Sequence, residues 1–112
     1  MQVEQRISGD VVIVTVIGDI TLGSGGETML KDKVRSLLEQ GHKKLVLDLG
    51  RVSYVDSAGL GELVHAHATA KNKGGSVRLL NVTKRLKDLL TITKLVTVFD
   101  SYDTEASAVA GF

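Results

Sequence analysis

Residues 44–61 read Lys44-Leu45-Val46-Leu47-Asp48-Leu49, then Gly50-Arg51-Val52-Ser53-Tyr54-Val55, then Asp56-Ser57-Ala58-Gly59-Leu60-Gly61. The first part is a short apolar run of the kind that forms a buried strand. Gly50, Arg51 and Ser53 read as a loop, and Asp56-Ser57 as the start of a helix. The apolar stripe of that helix is Leu60, Leu63, Val64, His67 and Ala70, and Gly74-Gly75 closes it. A strand feeding a helix through a short loop is the repeating unit of an α/β fold.

The flanking sequence repeats the unit. Upstream, Val3, Gln5 and Ile7 alternate with Glu4 and Arg6, the period of a half-buried strand. Ser8-Gly9-Asp10 is a turn, and the β-branched run Val11 to Ile17 is a second strand, central in its sheet. Gly18 to Gly26 reads as a glycine-rich loop. A helix follows from Glu27, with Leu30, Val34, Leu37 and Leu38 on one stripe and Gly41 at its end. Downstream, Val77, Leu79 and Leu80 predict a strand ending near Asn81, and Thr83 caps a helix carrying Leu86, Leu89 and Leu90. Val96, Val98 and Phe99 predict a last short strand, and Thr104 to Ala110 a terminal helix. The order β-β-α-β-α-β-α-β-α predicts one α/β domain over residues 1–112. Its mixed sheet opens with a β-hairpin, and its helices pack mainly on one face.

Composition narrows the function. A chain of 112 residues, 43% hydrophobic and 24% charged, holds one core and no separate catalytic lobe. Lys and Arg number 14 against 13 Asp and Glu, so no overall field favours nucleic acid. The chain has no cysteine, which removes disulfides, thiol catalysis and thiolate metal sites together and suits a reducing compartment. Met1-Gln2-Val3-Glu4-Gln5-Arg6 has neither the basic start nor the apolar stretch of a secretory signal, and no run is long enough to span a bilayer. These features predict a cytoplasmic protein that acts at no membrane.

The chemistry gathers at Ser57. A Ser or Asp at a helix start accepts hydrogen bonds from free amides, and read as a cap Ser57 is worth about 1 kcal/mol. Gly59 and Gly61 lie inside the first turns, where each costs roughly 0.5–1 kcal/mol relative to alanine. Their missing side chains leave bare backbone beside Ser57, which a partner surface can approach. A serine in this place can also accept a phosphate: phosphorylation would add roughly 1.5–2 negative charges, which helix amides and the macrodipole can hold without unfolding the domain.

The run from Leu45 to Gly61 closely resembles the STAS domain of anti-sigma-factor antagonists, in Leu-Val-Leu-Asp-Leu and in Val-Ser-Tyr-Val-Asp-Ser-Ala-Gly-Leu-Gly. Leu80-Asn81-Val82 through Leu86, Leu90, Leu95 and Phe99 resembles the same family's fourth strand and next helix. With the hairpin, the resemblance covers nearly the whole chain. It implies a single STAS-like domain that binds an anti-sigma factor with serine kinase activity. That kinase phosphorylates the serine matching Ser57 and so dissolves the complex, and a metal-dependent serine phosphatase resets it. The implied partner-binding residues are Asp19, Thr21, Asp56, Ser57, Ala58, Gly59, Leu60 and Gly61, with no catalytic residue and no cofactor. Asp48 and Asn81 match supporting polar positions near strand ends. The chain departs from the pattern at Thr21, where the family often has aspartate, at Ala58, which leaves Ser57 as the sole hydroxyl of the core Asp56-Ser57-Ala58-Gly59-Leu60-Gly61, and at Lys94, where a helix-ending glycine is common.

Other chemistry is weaker. His65 and His67 stand two apart on a helix and point in different directions, so they share no metal; His67 reads as partly buried and His65 as exposed. Gly23-Ser24-Gly25-Gly26 lacks the P-loop lysine and the Rossmann spacing. Val55 stands where a nucleophile elbow has glycine, so Ser57 is no hydrolase serine and the chain is not read as an enzyme. Lys43-Lys44 and Lys84-Arg85 are short basic pairs of a solvated surface. Two alternatives stay beside the phospho-switch. One is a STAS interaction module in a larger complex, with Ser57 as a cap and no phosphorylation. The other is a receiver-like domain phosphorylated on aspartate, against which the hairpin and the lack of an acidic pair after the first strand both argue.

Overall fold

Gly9, at φ 62, turns the chain between two strands, β1 (Gln2–Ser8) and β2 (Val11–Ile20), which pair antiparallel from Ser8↔Val11 to Gln2↔Ile17. The computed structural model describes residues 2–21 and 26–112. Helix α1 (Gly26–Glu39) ends at Gly41, whose φ of 95 makes the expected left-handed stop. Then come β3 (Lys44–Val55), α2 (Ser57–Asn72), β4 (Ser76–Leu80), α3 (Lys84–Ile92), β5 (Ser101–Tyr102) and α4 (Glu105–Val109). The element order and the mixed α/β sheet match the sequence expectation.

The sheet runs β1-β2-β3-β4-β5, with only the first pair antiparallel. Crossovers through α1 and α2 bury one face. Val12, Val14, Leu45, Leu47, Val77 and Leu79 meet Leu30, Val34, Leu37 and Leu38 of α1 and Leu60 and Leu63 of α2 there. Each strand contributes alternate residues, as the pleat requires. The opposite face carries a smaller cluster of Val11, Ile13, Val46 and Leu80 under Ala108 of α4. Arg78 pins the chain end over it, donating to the carbonyls of Ala108, Ala110 and Gly111 at 2.7–3.1 Å, with its guanidinium 4.0 Å from the Phe112 ring centroid.

Four expectations change. Edge strand β1 is mostly solvated: Val3 reaches the core, but Ile7 is 63% exposed. β2 runs on through Gly18 to Ile20, so Asp19 lies in a strand and not in a loop. β3 does not stop at Leu49 but continues to Val55, pairing with β2 at Ile17↔Arg51, Gly18↔Val52 and Ile20↔Val55. Finally, Val96, Val98 and Phe99 form a turn. The Leu95 and Val96 amides donate to the Leu90 carbonyl at 2.8 and 3.2 Å, which wraps this segment around the end of α3. The last strand is Ser101–Tyr102 instead, beside Leu79 and Leu80. The loop Gly23-Ser24-Gly25 lies outside the described residues.

Candidate functional site at the start of α2

Three ends converge on one corner of the sheet: the end of β2 at Ile20, the end of β3 at Val55 and the start of α2. Ile20 pairs with Val55, and the Asp56 amide donates to the Ile20 carbonyl at 3.4 Å. This is the carboxyl end of the parallel strands, where open α/β sheets place their binding sites.

Asp56, not Ser57, caps α2. Its φ of −95 and ψ of −174 are extended, its Oδ1 accepts from the Gly59 amide at 2.8 Å, and its carbonyl accepts from the Leu60 amide at 2.8 Å. Ser57 is the first helical residue and is exposed. The expected cap energy of about 1 kcal/mol therefore belongs to Asp56. Two residues that both cap well stand side by side, and the backbone geometry chooses the first.

The two glycines also separate. Gly59 is buried, and a Cβ there would sit 1.8 Å from the Ile20 carbonyl oxygen. It is glycine because the helix meets the end of β2 backbone to backbone, not because a partner needs room. Gly61 has nothing within 4 Å of its would-be Cβ and faces open space. Of the other expected partner-binding positions, Leu60 is 6% exposed, Ala58, Thr21 and Asp56 are half-buried, and Asp19 is exposed. The contact at Gly59 anchors the start of α2 to Ile20, which carries Asp19 and Thr21 to either side of the same junction. The outward side of α2's first turns presents Ser57 and Gly61, both small.

Sequence reading missed Glu62. It is 4% exposed, on the α2 side that packs on α1, and its Oε1 accepts from the Lys31 amide at 3.1 Å. Buried Ala66 and Ala70, one and two turns further on, share that side, and their small size was the available signal of a close helix–helix contact. His65 is exposed and His67 half-buried, as expected. His67 lies edge-on to Phe99, with ring centroids 5.3 Å apart, and its buried Nδ1 has no partner among the described residues. Asp48 and Asn81 do meet: Asp48 Oδ1 accepts from Asn81 Nδ2 at 3.3 Å and from the Gly50 amide at 3.1 Å. Lys94, at φ 60, holds the left-handed end of α3. Among the described residues, no helix is long and apolar enough to cross a membrane.

Comparison with known proteins agrees with this architecture. The STAS domain model matches residues 2–108. The anti-sigma-B factor antagonist of Bacillus subtilis (strain 168) is 39% identical over 87 residues, which are 78% of this chain and 77% of that protein. The anti-sigma F factor antagonist of Paenibacillus polymyxa is 25% identical over 114 residues, covering 97% of this chain and 92% of its own. Among solved structures, a candidate anti-sigma factor antagonist from Thermotoga maritima superposes with a TM-score of 0.84 at 26% identity, covering 95% of this chain and 90% of that one.

Proposed function

This chain belongs to the STAS domain family, and from that premise we propose that it is a cytoplasmic anti-sigma-factor antagonist switched by phosphorylation of Ser57. Unphosphorylated, it binds an anti-sigma factor that is also a serine kinase. Phosphorylated, it lets that partner go, and a metal-dependent serine phosphatase restores it. Its role is regulatory binding, with no reaction of its own.

The observation that carries the reading is the division of labour at the helix start. Asp56 caps α2, so the exposed Ser57 hydroxyl has no capping duty and stands open to a kinase. A phosphate on the first helical residue lies beside amides that have no partner within the helix, and it takes the favourable end of the macrodipole. The fold therefore tolerates it. A partner resting on the small Ser57 side chain and the bare backbone of Gly61 meets the new group as bulk and as charge next to the Asp56 carboxylate. The switch acts at the interface, and the backbone need not move. Thr21 supplies a hydroxyl where the resemblance implies a carboxylate, and Asp19 and Asp56 are acidic residues at the junction.

The test is chemical. The partner kinase, captured on the Ser57→Ala protein and incubated with ATP and the parent chain, should add one phosphate, found by mass spectrometry on the peptide containing Ser57. If Ser57→Ala is phosphorylated equally well, the acceptor is elsewhere. If neither chain is phosphorylated although the partner binds, the chain is an interaction module without this switch.

A further inference from the structure

The two faces of the sheet are covered in different ways. On one, α1, α2 and α3 press apolar stripes onto the strands. On the other, Val11, Ile13, Val46 and Leu80 are at most 2% exposed, and the residues packed against them are Tyr102, Ala108, Val109 and Phe112. Cover for this second face thus comes from residues 101–112, and no residue after Phe99 belongs to the larger cluster under the three helices.

That cover has little to hold it from within. β5 is two residues long and meets β4 at Leu79↔Ser101 and Leu80↔Tyr102. α4 has five residues, well short of the roughly 12–15 at which even a good isolated helix is marginal in water. Its one fully buried residue is Ala108, and residues 103–107 are all exposed. Two arginines rooted in the sheet hold the segment down. Arg78 of β4 gathers the Ala108, Ala110 and Gly111 carbonyls at the end of α4, where no later turn satisfies them. Its guanidinium also lies 5.2 Å from the Tyr102 ring centroid and 4.0 Å from that of Phe112. Arg6 of β1 pairs with Glu105 at the other end of α4 and donates to Thr15 Oγ1 at 3.0 Å.

We propose that residues 101–112 form a strap that opens as a unit of its own, with Arg78 as its latch, and that opening turns the back of β2, β3 and β4 into an apolar surface. Low burial and few paired backbone groups are what give a segment its own opening equilibrium. The uncovered surface is continuous, because Ile13 pairs with Val46 and the residues lie on three adjacent strands. In the closed state the strap itself occupies that surface and keeps it from any other protein. The device is independent of Ser57, which starts a helix on the opposite face.

Hydrogen exchange of the full chain, followed residue by residue by NMR under native conditions, tests the proposal. The Ala108 and Ala110 amides donate to the Thr104 and Ala106 carbonyls, and they should exchange at least about a hundredfold faster than those of Val14 and Leu47. In Arg78→Ala the strap amides should lose their protection, while Val14 and Leu47 keep at least about a hundredfold. A soluble paramagnetic probe should then reach the methyl groups of Val11, Ile13, Val46 and Leu80 but not those of Val14 and Leu47. Glu105→Gln, which leaves the sheet untouched, should lower strap protection by about threefold. Equal protection of Ala108 and Val14 in the parent chain would overturn the proposal, since the strap would then open only with the whole fold. So would an Arg78→Ala chain that keeps Ala108 protected, one that loses strap and core protection together, or one whose four methyl groups stay out of the probe's reach. No kinase or phosphate enters the test, so its failure leaves the Ser57 reading standing.

Discussion

The two halves of β3 are one strand with two environments. Residues 44–49 pair with β2 on one side and, through Asp48, with β4 on the other, and Leu45, Val46, Leu47 and Leu49 are all fully buried. Residues 50–55 pair on one side only and return a buried side chain at every third position, Val52 and Val55. The first half holds the molecule together. The second carries the chain to Asp56 and Ser57 and presents an open edge on the way. Rigidity made by pairing on both sides is thus spent, one strand-length later, on placing a site that must stay exposed.

If this contrast is real, truncations should divide along it. Leu47→Ala, in the first half, should lower stability by about 3 kcal/mol through lost burial and the cavity it leaves. Tyr54→Ala, in the second half, should stay within about 0.5 kcal/mol. Urea denaturation of the two variants checks this, and comparable losses would erase the distinction. Gly59→Ala forces a methyl into the Ile20 carbonyl and should cost about 2 kcal/mol in the same assay. A neutral result would mean that the start of α2 is not anchored to β2.

Next in size is the cap. Asp56→Ala should cost about 1 kcal/mol, whereas Ser57→Ala should change stability by less than about 0.5 kcal/mol. Thermal melts in which Ser57→Ala is the worse variant would return the cap to the serine. The smallest effect lies at the far end of the strand. Lys44 Nζ sits 2.5 Å from Asp10 Oδ2, and that hydrogen bond holds the Asp10 carboxyl below its ordinary value of 3.8. With the folded value depressed, the contribution is present above the unfolded value and is lost as pH falls through the folded one. An NMR carboxyl titration should show the lowered midpoint in the parent chain and the ordinary one in Lys44→Gln.

The same contrast explains what could be read in advance. Leu30, Val34, Leu37 and Leu38 repeat at helical spacing, and Leu45, Leu47 and Leu49 alternate, so both elements were legible. Leu49, Val52 and Val55 recur every third residue, because each bulge inserts one position before the buried face returns. That spacing belongs to neither period, and the stretch read as a loop. The site was legible in composition but not in role. Asp56 and Ser57 are both good caps, and only the backbone angles decide between them. Likewise Gly59 and Gly61 look alike until Ile20, distant in sequence, is found against one of them. Val96, Val98 and Phe99 had strand chemistry, but the carbonyl of Leu90 at the end of α3 captured their approach first.

The central claim is that Ser57 controls a partner interface without supporting the fold. Its most direct test is the affinity of the captured anti-sigma partner for three chains of matched stability: the parent, Ser57→Ala and Ser57→Asp. Ser57→Ala should bind within a few-fold of the parent, and Ser57→Asp should bind about a hundredfold more weakly, since an unpaired like charge at an interface costs several kcal/mol. Equal affinities for Ser57→Ala and Ser57→Asp would contradict the account.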